Sequence, residues 1–371
     1  MKTKNNIVAF SSKETDLQFL DYWNHYLAKN SNLEKDKNRE YWKVDEKGNP
    51  ISFAQKEENM NAALLKEVIR KSGVVDAAER PLEEWFYRRS VIEETFAIVS
   101  SLVDMVLPQS IIDSIGLYTD VRNIPWGDSA AFNIEPRDLF IVSKSGNAQR
   151  STPIHKQFKS QVTIIPEFHE LTVSVSLYQV LSGQESLAAF VAKVAKSMET
   201  QVTVDAYNAF ATAMAAVTNT ATTGLRVSGY SQDSLVRLCE QVTTWNGGQK
   251  AVIAGTQRAL VNVLPTDANY RYSLDDKYTT MGYIPTAFGY DVMRIPQVVD
   301  ISTPFGLTIS NSYIWIVSPS AQKILKLVLE GNTLSNTTSP FQNANLTQET
   351  TITKSWGVGV ATNAVAGVIT L

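Results

Sequence analysis

A strict alternation of apolar and polar residues over 171–177 is the clearest hydrophobic pattern in the chain. Leu171, Val173, Val175 and Leu177 are separated by single Thr or Ser residues. Because successive side chains of a strand point to opposite faces, this spacing predicts a β-strand with one buried face and one polar face.

Apolar residues at spacings of three and four follow this strand, from Leu187 to Val217. The periodicity places them on one face of a helix and predicts a long helix over about 185–217. At a rise of about 1.5 Å per residue, such a helix is about 50 Å long. A strand that leads into so long a helix is the central feature of the predicted fold.

The first hundred residues differ in character, since they hold nearly half of the charged side chains. Their apolar spacing predicts helices over 15–29, 57–71 and 81–107, with Pro81 at the start of the third helix and Pro108 ending it. Such a region has little apolar material for a core of its own. We therefore expect it to lie along another part of the protein.

A hairpin with polar residues on both faces is predicted over 138–165. Its strands are 138–143 and 161–165, and the basic segment between them begins with a turn at 144–147. An isolated two-stranded hairpin is only marginally stable in water. We therefore expect the hairpin to contact partners outside its own domain.

The second half of the chain is poor in charge and predicts an α/β lobe. Ser231 and Thr256 are expected to cap helices over 231–245 and 257–264, because a hydroxyl at this position accepts a hydrogen bond from the first turn. The predicted strands are 251–254, 291–295, 312–317, 323–329, 350–354 and 367–371.

Composition places the chain among ordinary globular proteins. It has 371 residues, 44% hydrophobic and 19% charged, so two or three lobes with a sizeable core are expected. The net charge of −3 provides no global positive field for binding nucleic acid. No apolar run has the character of a signal peptide or the length of a membrane span. The single cysteine, Cys239, falls in a helical pattern and is interpreted as a buried apolar residue.

A search for catalytic, cofactor-binding and metal-binding residues yields no candidate. His155 and His169 flank the hairpin without metal-ligand spacing and are interpreted as solvated or hydrogen-bonded surface residues. The segment 357–359, Gly-Val-Gly, lacks the third glycine of a dinucleotide fingerprint and is interpreted as a turn between two strands. Asp275 and Asp276 are adjacent, so their side chains point apart on an extended segment and suit a solvated turn. No enzyme activity and no cofactor are expected.

The order of the predicted elements is more informative than any motif. A charged helical region, a polar hairpin, an alternating strand, a long helix, an α/β lobe and C-terminal strands follow one another. This order resembles the HK97-type major capsid proteins of tailed bacteriophages. Locally, 251–260 looks like the axial-domain strand and helix, 281–289 like the turn before an axial strand, and 356–369 like the closing peripheral strands. The resemblance covers about residues 105–371.

The resemblance implies an α+β, HK97-like capsid fold divided along the chain. Its parts are a charged helical N-terminal arm or region at 1–107, the start of the peripheral domain at 108–137, an extended-loop hairpin at 138–166, the peripheral strand and spine helix at 167–220, an α/β axial domain at 221–330, and a C-terminal return to the peripheral domain at 331–371. Residues 1–107 are interpreted as an arm, an inserted lattice contact or a removable scaffold-like segment. Some relatives crosslink a lysine of the hairpin, but nothing aligns Lys144, Lys156 or Lys159 with that chemistry.

The function implied by the resemblance is that of a major capsid protein. Such a chain assembles with itself into pentamers and hexamers and then into an icosahedral shell around a double-stranded DNA genome, in the host bacterial cytoplasm. Portal, scaffold or decoration proteins would be further partners, the packaged DNA would be contacted without sequence preference, and no membrane would be involved. Two alternatives remain open: an encapsulin-type cellular compartment shell, and a soluble α/β enzyme. The long N-terminal region favours the phage virion over the compartment.

Overall fold

Helices and strands are mixed throughout the chain, which confirms the predicted α+β class. The computed structural model describes residues 13–30, 51–72, 89–115, 119–134, 142, 154, 156, 159–175, 185–217, 224–263, 281–300, 303–318, 323–337, 348–361 and 364–371. Among these residues, no helix has both the length and the apolar character needed to cross a bilayer.

The helices of the described residues follow the predicted apolar spacing closely. They are α1 (Lys13–Asn30), α2 (Phe53–Ser72), α3 (Arg89–Ile115), α4 (Leu187–Ala215), α5 (Gln232–Trp245) and α6 (Gln257–Leu260). The predicted helices at 15–29, 57–71, 185–217 and 231–245 are thereby confirmed. The helix predicted over 257–264 is shorter, since α6 ends at Leu260.

The strands are more numerous and in part longer than the sequence predicts. They are β1 (Thr119–Ile124), β2 (Ala130–Ile134), β3 (Ser160–Ile164), β4 (Glu167–Val175), β5 (Arg226–Ser228), β6 (Val252–Gly255), β7 (Thr286–Ala287), β8 (Tyr290–Arg294), β9 (Val299–Asp300), β10 (Gly306–Leu307), β11 (Tyr313–Val317), β12 (Leu325–Thr337), β13 (Gln348–Val360) and β14 (Gly367–Thr370).

The chain divides into two compact units, each built from three segments. The first unit comprises Met1–Ser114, Glu167–Gln201 and Glu330–Trp356, and the second comprises Ile115–Pro166, Val202–Leu329 and Gly357–Leu371. Each unit therefore combines residues that are distant in sequence. The domain boundaries predicted from the sequence stay a prediction.

The first unit joins helices to an antiparallel sheet. Strand β4 pairs with β13 from Val175 opposite Gln348 to Glu167 opposite Trp356. Strand β12 follows on the other side of β13, so β4 lies at an edge of this sheet. On β4, Leu171 and Val173 are half-buried and Thr172 is exposed. The alternation is as predicted, but the apolar face is only partly covered.

Helix α3 continues through Pro108, so the prediction that this proline ends the helix is wrong. A proline inside a helix removes one hydrogen bond and crowds the preceding turn. Val106, Leu107 and Ile111 around it are fully buried. Burying each such side chain contributes about 1.5–3 kcal/mol, which offsets the lost bond when the helix continues. Residues 81–88, where this helix was predicted to start, lie outside the described residues.

The second unit is built around a six-stranded mixed sheet in the order β5-β14-β11-β6-β8-β7. Strand β11 separates two apolar cores because its side chains alternate between the sheet faces. Ile314 and Ile316 lie in the core that contains α5. Trp315 and Val317 lie in a second core, with Met214 near the end of α4. The predicted strands at 251–254, 291–295, 312–317 and 367–371 are confirmed as β6, β8, β11 and β14.

Strand β13 runs through the glycines that the sequence analysis interprets as a turn, so that interpretation is wrong. The second-unit residues Gly357 and Gly359 are both strand residues of β13. A Cβ on Gly357 would lie 2.8 Å from the carbonyl oxygen of Ile165, and one on Gly359 would lie 2.9 Å from Cδ1 of Ile164. These glycines therefore permit a close approach of two chain segments, which is a known use of glycine within strands.

Candidate assembly surfaces

The ribbon formed by β2 and β3 is the base of the predicted hairpin. The strands are antiparallel, from Ala130 opposite Ile164 to Ile134 opposite Ser160. The predicted strand at 161–165 is thus confirmed as β3, and its partner is β2. The predicted first strand, 138–143, lies outside the described residues except for Val142. The ribbon therefore begins earlier in the chain than the sequence analysis places it.

One end of this ribbon is fixed in an apolar cluster of the second unit. Ala130, Phe132 and Ile164 are buried there together with Val328 of β12 and Ala361. The glycines of β13 described above allow the backbone to approach Ile164 closely. This end of the ribbon is therefore held by packing on both of its strands.

Cationic side chains add to the anchoring at Phe132. The guanidinium carbon of Arg122 lies 4.1 Å from the centre of the Phe132 ring. The same guanidinium donates a hydrogen bond of 3.1 Å to the carbonyl oxygen of Ala131. Lys326 Nζ lies 5.5 Å from the ring centre and 3.4 Å from a carboxylate oxygen of Asp120. Cations over an aromatic face stabilise such contacts by about 0.5–2 kcal/mol, so the start of the ribbon has a defined orientation.

Residues at the other end of the ribbon are exposed. Ser160 and Gln161 of β3 are exposed, as is Lys159 immediately before the strand. Val142 and Ile154 lie between the two strands in sequence and are each about nine-tenths exposed. Large apolar side chains in water are unfavourable, and a two-stranded ribbon buries little by itself. This segment therefore offers contact surface to another molecule.

The N-terminal helices are tied to the start of the long helix α4 by one side chain. Asn61 of α2 accepts a hydrogen bond of 3.0 Å from the backbone N–H of Ala188, and its amide donates one of 3.0 Å to the hydroxyl of Ser186. The Ser186 hydroxyl accepts a further bond of 3.1 Å from the N–H of Ala189. The first turn of a helix has N–H groups without partners in the helix. Asn61 and Ser186 together supply acceptors for two of them.

Helices α1 and α2 are held together by a buried ion pair and by aromatic packing. Lys56 Nζ lies 3.0 Å from a carboxylate oxygen of Asp21, and both side chains are largely buried. The rings of Tyr22 and Phe53 stack at 5.3 Å between centres. Burial raises the pKa of the Tyr22 phenol far above its ordinary value. The region predicted to have little core of its own thus has aromatic and ionic contacts between its two helices, and Met60 of α2 is fully buried.

A buried polar network joins α3 to the sheet of the first unit. Asp104 accepts hydrogen bonds from Lys354 Nζ at 2.7 Å and from the N–H and hydroxyl of Thr333 at 2.7 and 2.5 Å. Lys354 also donates to the carbonyl oxygen of Gly331 at 2.7 Å. Buried charges are tolerated when they are paired and hydrogen-bonded in this way. The network fixes α3 against β12 and β13, and the charges of Asp104 and Lys354 are both used in structural hydrogen bonds.

The residues considered for chemistry are placed in separate structural roles. His169 stacks on Trp356 with ring centres 3.8 Å apart, and His25 is fully buried in α1. Cys239 is buried in α5, where burial raises the pKa of its thiol to about 12. Ser231 caps α5 by accepting a hydrogen bond from the N–H of Ser234, as predicted. The described residues contain no group of three or more His, Cys, Asp or Glu side chains that could hold a metal ion.

Some sequence interpretations fall on residues outside the described ranges. These are His155, Asp275, Asp276 and Lys144. Lys156 and Lys159 are described and exposed. Conversely, sequence reasoning did not identify Asn61, Asp104 or Lys354, because their partners are far away in the chain and no short motif marks them.

Comparison with known proteins gives structural likenesses only. No family model and no curated protein sequence matches the chain. The capsid of a native GTA particle matches with a TM-score of 0.47 and 12% identity, covering 71% of this chain and 90% of that one. The mature capsid of bacteriophage PhiM1 matches with a TM-score of 0.45 and 10% identity over 68% and 85%. A virus-like particle from Pyrococcus furiosus matches with a TM-score of 0.40 and 10% identity over 72% and 97%.

The chain is thus similar in structure to phage capsid proteins, the same class that its sequence resembles. Since these TM-scores lie below 0.5 and the identities near 10%, the likeness by itself does not assign a function.

Proposed function

We propose that this chain is a structural shell subunit that assembles with copies of itself into an icosahedral capsid. In its specific form the proposal is the major capsid protein of a tailed phage, which encloses double-stranded DNA. The observation that carries it is the β2–β3 ribbon, whose one end is fixed at Phe132 and whose other end leads into exposed residues.

The physical argument begins with the fixed end of the ribbon. Apolar burial and the Arg122 cation set the direction in which the chain leaves Ile134 and returns at Ser160. The 25 residues between these two positions, 135–159, include the exposed Val142 and Ile154. A segment that starts from a rigid base and carries exposed apolar side chains is suited to contact an adjacent copy. Contacts of this head-to-tail kind close into rings when their rotation permits.

The proposal includes the fate of the N-terminal region. We infer that residues up to 72 remain with the subunit and are not removed. Asn61 supplies the acceptor for the N–H of Ala188, which is fully buried. Losing α2 would remove this acceptor from the first turn of α4, and loss of a helix cap costs about 0.5–2 kcal/mol. Of the three interpretations of residues 1–107, this supports a retained arm or lattice contact.

The proposal also holds that the chain is not an enzyme. Support comes from the described side chains considered for chemistry, which serve as a helix cap (Ser231), a buried thiol (Cys239) and a stacked ring (His169). The overall charge of −3 is compatible with loose, non-specific contact with packaged DNA. Pentamers and hexamers of the chain, and portal, scaffold or decoration proteins, are the partners this role requires. Its location would be the virion, after assembly in the host bacterial cytoplasm.

Electron microscopy of the purified chain tests the proposal directly. Wild-type protein is expected to form closed icosahedral shells. A variant in which Asn-Gly replaces 135–159 is expected to fold but not to form them. Ile134 and Ser160 are directly opposed in the ribbon, so a two-residue Asn-Gly turn joins them without strain.

The controls separate folding from assembly. The deletion variant should keep the thermal melting curve of the unassembled subunit, because the fixed end of the ribbon is unchanged. Normal closed shells from this variant would refute the role given to the segment. A chain that stays monomeric under all assembly conditions would refute the shell function itself. Particles from the native source that contain a cargo enzyme instead of DNA would contradict the phage part of the proposal.

A further inference from the structure

The ribbon formed by β9 and β10 has an exposed apolar tip. Val299 and Leu307 are directly opposite each other in it, and each is about 60% exposed. Phe305, two residues before Leu307, is fully exposed. We call these three side chains the apolar tip. No charged side chain is among them.

The other end of this ribbon is anchored in the core of the second unit. Ile309 is buried there, and Val298 packs against the same cluster. The N–H of Thr308 donates a hydrogen bond of 3.0 Å to the carbonyl oxygen of Val298, and Gln297 donates one of 2.9 Å to that of Ile309. The exposure of the tip is therefore a consequence of a well-fixed ribbon.

The backbone at the tip is unfavourable for the residue it carries. Phe305 has a φ of 60°, in the left-handed region where side chains larger than glycine are strained. The next residue is a glycine, and a Cβ on Gly306 would lie 2.9 Å from Cβ of Thr303. A large apolar side chain is thus exposed to water on a strained backbone, next to a glycine whose position is crowded for any side chain. Strained residues of this kind cluster at functional sites, so the conformation of Phe305 motivates a functional role for this surface.

We propose that the apolar tip is a contact with a second copy of this chain, made within the assembled shell. This inference rests on the proposed function. The exposed apolar surface of the three side chains is on the order of 300 Å² in total, within the range typical of functional patches on monomers. A stable pair of proteins needs about 800 Å² from each partner. The tip alone is too small to hold a dimer in solution, and it suits a contact that forms together with others in a closed ring.

A single substitution separates the function of Phe305 from its structural role. Phe305→Gly removes the side chain and relieves the strain, since glycine adopts positive φ readily. The unassembled variant is expected to melt at the wild-type temperature or higher, whereas its critical concentration for assembly should rise about tenfold or more. Trp245→Gln serves as the control, because Trp245 is another large apolar residue of the same unit and is 69% exposed. Its critical concentration should stay at the wild-type value.

A thiol reporter identifies the occupant of the tip. Cys239 is the sole cysteine and is buried, so Thr303→Cys introduces one exposed thiol beside an intact Phe305. Its reaction with a maleimide should slow at least tenfold when the pure chain assembles. Three outcomes would overturn the inference and leave the shell function standing. They are an unchanged labelling rate on assembly, wild-type assembly of Phe305→Gly, and an equal rise in critical concentration for the Trp245→Gln control. Protection that requires a co-purified component would overturn the second copy as occupant. Failure of the wild-type chain to assemble would overturn both.

Discussion

Replacing Asn61 by alanine tests whether the N-terminal helices are an integral part of the first unit. The substitution removes the side-chain oxygen that accepts the N–H of Ala188 at 3.0 Å, and it removes the amide that donates to Ser186. Ala188 is fully buried and the bond is partly buried, so water is a poor replacement for the lost acceptor. Loss of an acceptor for a buried donor costs about 1–3 kcal/mol, and loss of a helix cap costs about 0.5–2 kcal/mol. Both figures refer to the same hydrogen bond and are not added.

We therefore expect Asn61→Ala to lower the free energy of unfolding by about 2 kcal/mol. In a domain of about 150–250 residues, this corresponds to a fall in melting temperature of about 4–8 °C. Denaturant titration of the unassembled full chain measures the global effect. Amide hydrogen exchange at Ala188 measures the local one, where protection should fall at least tenfold.

Asn61→Asp is the matched control for this experiment. A carboxylate keeps the acceptor for Ala188, accepts a bond from the Ser186 hydroxyl, and carries a negative charge beside a helix N-terminus, where it is favourable. The Asp variant should therefore retain wild-type stability within about 0.5 kcal/mol, since no buried donor loses its partner. Equal losses in the Ala and Asp variants would refute the capping argument. Wild-type stability of the Asn61→Ala variant would also refute it, and would remove the support for a retained N-terminal region.

Three other perturbations follow from the described contacts. Gly357→Ala should destabilise the chain by about 1–3 kcal/mol, because the added Cβ would lie 2.8 Å from a backbone oxygen. Gly367→Ala should cost less, since its added Cβ would have no neighbour nearer than 3.5 Å. The melting temperatures of both variants are measured by calorimetry, and equal values would contradict the packing argument. Lys354→Met should cost about 3–5 kcal/mol because it leaves the Asp104 carboxylate buried without its cation. Adding Asp104→Asn should recover part of this loss in denaturant titrations, since the amide is neutral and its oxygen still accepts from Thr333; a double variant less stable than the single one would contradict this. Burial raises the pKa of the Cys239 thiol to about 12 in the folded chain. As the pH rises above about 9, the thiol therefore loses its proton in the unfolded chain before it does so in the folded chain. This difference lowers the free energy of unfolding between about pH 9 and pH 12. The difference in free energy of unfolding between wild type and Cys239→Ala should therefore narrow over this pH range. A constant difference would refute the raised pKa of the buried thiol.

Local features of the fold could be read from the sequence because their causes are local. Ser231 and Thr256 cap their helices as predicted, since a hydroxyl and the N–H three residues later are neighbours in the chain. The long helix α4 follows from apolar spacing alone. The burial of Cys239 follows from its position in the apolar stripe of α5. The order of elements was sufficient to suggest the capsid resemblance.

Pairing between distant segments was not available from the sequence. The partner of β3 is β2, although a nearer segment was expected, because strand pairing depends on which edges meet in the folded unit. Pro108 remains helical because Leu107 and Ile111 are buried around it, and helix propensity does not include that burial.

The sequence by itself determined the long helices, the helix caps and the uneven distribution of charge, since these depend on residues within a few positions of one another. Only the tertiary structure decided that Asn61 caps a helix 127 residues away, that Asp104 binds Lys354, and that Phe305 is left in water on a strained turn. Hydrogen bonds, buried charges and exposure depend on distances in space. Those distances are set by packing between segments that the linear pattern leaves unrelated.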